Sequence, residues 1–262
     1  MEQKKRTVEE LLKNLKNNRD AVVIVGDKVI EELNVYPIDE KSKKMLNRKK
    51  MVKEPKYFWK HYKENVHKDY GVSEAEKQIN NLLDLGIVKT VINLNYTGSI
   101  LPVIGTNAQL IELKGHKNKY RCMSCGATGT FTEEMLNTLN VLKCEHCKGK
   151  IAPSIVMFEE KYLEKNTKAI KDAIFIEEDG EVKLNTHCLI FIGVDFEEDY
   201  LHEIIESYDA IKAKVQNDEN PYFTVLIAHG DLASIEYYQP EFATNENIEE
   251  SVKRLIANLK EA

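Results

Sequence analysis

The chain has 262 residues, 42% of them hydrophobic and 31% charged, with a formal net charge of -6. This excludes a disordered chain and leaves room for one large domain or two modest ones. The acidic balance argues against nucleic acid as a partner, and no apolar run approaches the roughly 20 residues that span a bilayer, so no membrane partner and a cytoplasmic location are expected.

The chain opens on 1-MEQKKRTVEELLKNLKNN-18, a charged amphipathic helix without the apolar centre of a signal peptide. The run 21-AVVIVG-26 is short, β-branched and closed by glycine, which predicts a buried strand. Residues 30–70 are irregular and rich in charge. The lysine cluster 41-KSKKMLNRKK-50 reads as a solvated face, and KYFWKHYKENV predicts an aromatic helix with Trp59, the only tryptophan, in a core. In 73-SEAEKQINNLLDLG-86, Ser73 and Glu76 form a capping box and Gly86 marks the stop of a helix.

Strand candidates follow at 89-KTVINLN-95, 109-QLIELKG-115, 151-IAPSIVMF-158, 187-HCLIFIGVD-195 and 221-PYFTVLIAHG-230. Helices are predicted over 161–173 and 197–215, and a last one carries Ile248, Val252, Leu255, Ile256 and Leu259 on one face. Unbroken apolar strands separated by helices predict a parallel sheet covered on both sides, an α/β Rossmann-like domain.

The cysteines carry the strongest chemical signal. Cys122 and Cys125 are separated by two residues, as are Cys144 and Cys147, and 18 residues lie between the pairs. This is the spacing of a tetrathiolate zinc ribbon, whose two tight turns each offer two thiolates to one ion. Disulfides are the competing assignment, which a cytosolic chain would keep reduced. Four thiolates leave no open position for water, so the zinc is expected to be structural. His146, between two ligands, is expected to be a bystander, and Cys188, inside an apolar strand, a buried inert thiol.

A zinc ribbon inserted into a Rossmann-like domain, preceded by 111-IELKG-115 and followed by 149-GKIAPSIVMFEE-160, resembles the sirtuin family of NAD-dependent protein deacylases. The matching stretches run on through 22-VVIVGDKVI-30, 91-VINLNYTG-98, 190-IFIGVD-195 and 225-VLIAHG-230. The resemblance implies a Rossmann-like parallel sheet with helices on both faces, plus a small domain made of a four-cysteine zinc ribbon and a helical insertion. It divides the chain into a Rossmann-like first part at 1–29, a helical insertion at 30–80, a second part at 81–116, the ribbon at 117–152 and a last part at 153–262. It also implies NAD as cofactor and an acyl-lysine peptide, or another protein, as partner.

The residues that differ are those that would touch cofactor and substrate. Where sirtuins carry GAGIS, Gly26 survives but Asp27, Lys28 and Ile30 replace the Ala, Gly and Ser. A carboxylate near a pyrophosphate repels it, and a lysine side chain fills space the backbone would need. The Pro-Asp-Phe-Arg stretch that follows in the family leaves only Pro37. Of the TQN-x-D motif only Asn95 matches, with Leu94 for Gln and Thr97 for Asp. The family's general-base His is Lys114, Glu159 stands at the Gly of FGE, and the GTS turn is Gly193, Val194 and Asp195.

His116, two positions on, could share a face with Lys114 if one strand extends through both, and act as a substitute base; it could equally face solvent at the mouth of the ribbon. His229 matches no catalytic position. Gly26, Asn95 and Gly193 are all that remains of the expected dinucleotide contacts, which counts against NAD. Two functions are therefore carried forward. One is a sirtuin-fold pseudoenzyme with a scaffold, partner-binding or ligand-binding role. The other is a divergent NAD-dependent deacylase, ADP-ribosyltransferase or NAD hydrolase with a rebuilt pocket.

Overall fold

A computed structural model describes residues 6–33, 35, 44–100, 108–137, 140–196, 199–216 and 219–261. Pro37 and Lys41 lie outside the described residues. In the first half the elements are α1 (Val8–Asn18), β1 (Ala21–Val25), a 3-10 turn (Asp27–Leu33), α2 (Arg48–Lys53), α3 (Pro55–His61) continued by a π turn (Tyr62–Val66), α4 (Glu74–Leu83), β2 (Val88–Asn93) and β3 (Gln109–Glu112). Next come β4 (Gly115–Cys122), β5 (Thr128–Thr130), α5 (Glu133–Leu136), β6 (Ile151–Ile155), α6 (Glu164–Ile174), β7 (Phe175–Glu178) and β8 (Glu181–Leu184). The chain closes with β9 (Cys188–Ile192), α7 (Asp199–Val215), β10 (Phe223–Ile227), α8 (Leu232–Tyr238), β11 (Phe242–Thr244) and α9 (Ile248–Glu261).

Six strands form a parallel sheet in the order β11-β10-β9-β1-β2-β3. Alternate side chains of each strand enter opposite cores, as the two-residue period requires. Val23, Val25, Ile190 and Ile192 pack with α1, α4 and α9, while Val22, Ile24, Leu189 and Phe191 pack with α6 and α7. The strands read as unbroken apolar runs because both faces are covered. Among the described residues no helix is long and apolar enough to cross a membrane.

A third core belongs to the ribbon and the helical insertion. Trp59 is fully buried there, against Phe58, Tyr62 and Phe131 with ring centroids 5.2–5.8 Å apart. Cys122 and Cys144 lie in the same cluster, so the thiolates and the insertion share one interior.

Two expectations need correction. The apolar run at 151–158, counted among the strands of the parallel sheet, contributes β6 to the three-stranded antiparallel sheet β5-β4-β6 instead. Its apolar residues face the third core rather than two helical layers. The strand predicted over 109–115 ends at Glu112, and a new strand starts at Gly115, whose φ of +82° turns the chain.

Candidate functional site

The capped turns of the ribbon bring the four thiols together. Their sulfurs lie within 4.8 Å of one another, with Cys122 Sγ 3.4 Å from Cys147 Sγ and Cys125 Sγ 3.8 Å from Cys144 Sγ. Four Zn–S bonds of about 2.3 Å place sulfurs about 3.8 Å apart, so the cluster fits a tetrahedral zinc ion. Backbone N–H groups of Ser124 and Gly149 donate to Cys122 Sγ and Cys147 Sγ, each at 3.4 Å. Among the described residues this is the single group of such side chains that could hold a metal.

The second centre lies at the C-terminal ends of β1 and β9, where the sheet order reverses. In an open parallel sheet this is where ligands bind. Gly26 N donates to Ile192 O at 2.9 Å and Lys28 N to Gly193 O at 3.1 Å, so those amides are spent inside the protein. A Cβ on Gly26 would overlap the Gly193 carbonyl and lie 2.6 Å from its carbon. Gly193 itself has a φ of +59° and is walled in by Ile248 and Val29. A Cβ on Gly115 would likewise run into the Ser154 carbonyl.

The side chains around these glycines close on one another. Lys114 Nζ, beyond the end of β3, pairs with Asp27 Oδ2 at 3.0 Å, and Lys28 Nζ donates to His229 O at 3.1 Å. Asp27 and Lys28 thus reach from the β1 loop towards the ends of two other strands.

Beneath them lies a chain of buried polar groups. Asn95 Oδ1 accepts from Asn93 Nδ2 and Thr97 Oγ1, Thr97 Oγ1 meets Ser99 Oγ at 2.6 Å, and Ser99 Oγ donates to Glu76 Oε1 at 2.7 Å. Glu76 is fully buried; desolvation pushes its carboxyl above the ordinary range, against the hydrogen bonds from Ser73 and Ser99. Asn95 Nδ2 is buried without a partner.

His116 takes no part in the cleft. Only 5% exposed, it accepts from Asn118 N at Nδ1 and packs its ring on Gly98, where a Cβ would collide with it. Burial, helped by Lys119 and Lys117, pushes its pKa down to about 4. The shared strand face that would make it a partner of Lys114 is missing, because β3 and β4 are separate strands.

A sequence model of the Sir2 family matches residues 7–180, about two thirds of the chain. The chain belongs to the Sir2 family. Among its relatives, an NAD-dependent protein deacetylase of Clostridium acetobutylicum is 25% identical over 121 residues, which is 44% of this chain and 49% of that protein. One of Thermodesulfovibrio yellowstonii is 33% identical over 114 residues, 41% of this chain and 43% of that protein. The chain thus spans about half the length of the curated relatives it matches.

Solved sirtuins extend the likeness to the whole fold. One determined for sirtuin substrate affinity aligns with a TM-score of 0.71 at 17% identity, covering 97% of this chain and 99% of that one. A Sir2 protein bound to a propionylated peptide gives 0.70 at 16%, covering 98% and 100%, and a Sir2 homologue in complex with NAD gives 0.69 at 16%, covering 98% and 95%. Glu159 has a left-handed φ of +64°.

Proposed function

We propose that this chain is a Sir2-family pseudoenzyme, a zinc-ribbon sirtuin fold whose dinucleotide cleft no longer supports NAD chemistry and which serves a scaffold, partner-binding or ligand-binding role. The observation that carries this is the ion pair between Asp27 and Lys114. These are two of the exchanged positions, one in the phosphate loop and one at the general base, 87 residues apart and now bonded to each other. An ammonium held on a carboxylate has no lone pair with which to take a proton. The carboxylate would repel a pyrophosphate, and the amides of Gly26 and Lys28 are already bonded to carbonyls.

The residues present do not fit NAD. Of the TQN-x-D positions only Asn95 keeps its residue, and its Nδ2 is a buried donor without a partner. The glycines that survive are explained without a cofactor, since Gly26 and Gly115 sit where any side chain would strike backbone. What persists is what the fold needs.

The test is a calorimetric titration of the zinc-loaded protein with NAD, with and without an acetyl-lysine peptide. No heat and no thermal shift at millimolar NAD are expected, and Lys114→His is expected to create no deacetylase activity. Binding at micromolar NAD would overturn the proposal in favour of a divergent NAD-dependent deacylase, ADP-ribosyltransferase or NAD hydrolase.

A further inference from the structure

Between residues 67–72, the loop after β2 and the start of β4 lies a cleft of about 520 Å³, within the range that small organic ligands occupy. Gly26, Asp27, Lys114 and Gly193 form no part of its wall; of the positions exchanged relative to the sirtuin motifs, Thr97 alone lines it.

Its charge is unusual. Lys117 lines it while only 6% exposed. The Lys117 ammonium donates to the Lys68 carbonyl and sits 4.8 Å from the centre of the Tyr70 ring. Among the described residues no carboxylate is in ion-pair contact with it. An ammonium buried with one carbonyl and one aromatic face is under-compensated, and burial pushes its pKa down, opposed by Asp69.

Two further groups point the same way. His67 Nε2 is buried without a partner, and Lys68 adds a second, exposed cation on the rim. Burial and the neighbouring Lys117 lower the His67 pKa, opposed by Glu133 and by the ring's hydrogen bond to its own backbone. Asp69, an exposed carboxylate of the same wall that accepts from Gly71 N at 2.9 Å, offsets part of the Lys117 charge without forming an ion pair with it, and Glu133 pairs with Lys63 at 3.3 Å.

We propose that this cleft binds a small molecule that presents an oxyanion, a carboxylate or a phosphate group, to the Lys117 ammonium, with Lys68 at the entrance and the unpartnered His67 Nε2 as a further polar contact for the body of the ligand. The oxyanion supplies the charge that the buried ammonium lacks, and the remaining volume takes the body of the ligand. The ligand proposed here does not require NAD, since the Asp27–Lys114 pair lies outside this wall.

The experiment uses the full zinc-loaded chain with inorganic phosphate and malonate as probes, against sodium chloride at equal ionic strength. One or both probes are expected to raise the melting temperature by a few degrees and to shift the amide resonances of Gly98, Ser99 and Asn118 rather than those of the ribbon. Which probe binds more tightly separates a phosphate ligand from a carboxylate one. Lys117→Met keeps an unbranched apolar stem one atom shorter and removes the buried charge; it is expected to fold and to bind about tenfold more weakly or worse. Equal affinity in that variant, resonance shifts confined to other surfaces, or no binding of either probe at tens of millimolar would each overturn the proposal. Should the variant fail to fold, the position of the resonance shifts in the unaltered protein decides.

Discussion

Replacing Gly26 by alanine separates a glycine kept for the fold from one kept for a cofactor. The added Cβ would lie 2.6 Å from the Gly193 carbonyl carbon, where ordinary contact begins near 3.4 Å, and its obstacles are backbone atoms that cannot rotate away. The β1 and β9 ends would have to part by roughly 1 Å, with an overpacking cost of about 1–3 kcal/mol. The hydrogen bonds from Gly26 N and Lys28 N span the same junction, and weakening both adds about 2 kcal/mol. A loss of about 4 kcal/mol should lower the melting temperature by roughly 10 °C in a chain of this size. Thermal unfolding followed by circular dichroism, without any ligand, reads this directly. Gly71→Ala is the control, since its Cβ meets nothing within 4 Å; its φ of +72° should cost only about 1 kcal/mol. A Gly26→Ala protein melting within about 2 °C of the parent would refute the packing argument and return Gly26 to the cofactor residues.

Removing the metal, or Cys122→Ser, is expected to unfold the ribbon together with the aromatic core of Trp59 and Phe131, since Cys122 and Cys144 belong to that core. Unchanged melting after complete chelation would show that the thiolates do not hold the domain. Glu159→Gly should stabilise the protein by about 0.5–1 kcal/mol in urea unfolding by relieving a left-handed non-glycine residue; a loss of stability would show that its side chain has a role of its own. The His116 ring should titrate near pH 4 by nuclear magnetic resonance, against 6.5 for an unperturbed histidine. Because the unfolded chain takes that proton first, His116 contributes stability that is present above pH 6.5 and declines as pH falls towards 4, by about 2 kcal/mol after allowance for solvent screening. A titration midpoint near 6.5 would show that the ring is not buried.

The meeting of the two cysteine pairs rests on β4 pairing with β6, but the four-cysteine spacing was readable from residue order because each tight turn that presents two thiols is local. The capping box of Ser73 and Glu76 was readable for the same reason. One local signal was passed over. In 175-FIEEDGEVKL-184 the pair Asp179-Gly180 separates two short strands, and both residues have positive φ, as a tight hairpin turn requires. The hairpin β7-β8 was therefore available to sequence reasoning and missed.

The candidate site divides along the same line. Sequence alone could show that Asp27 and Lys114 stand where a small residue and a histidine were expected, and that their charges are opposite. That the two meet at 3.0 Å depends on β1 and β3 being brought to one edge of the sheet with β2 between them. From the sequence, His116 could share a face with Lys114 if one strand extended through both, or face solvent at the mouth of the ribbon. The turn at Gly115 ends β3, and pairing with β6 starts a new strand that buries His116. The amino-acid order by itself determined the apolar periodicity, the two Cys-x-x-Cys pairs that could hold a metal and the identity of the exchanged residues, since these are properties of short segments. Only the tertiary structure decided which exchanged residues touch, which glycines the backbone requires and that Lys117 is a buried cation beside a cleft, because contact and desolvation are set by groups far apart along the chain.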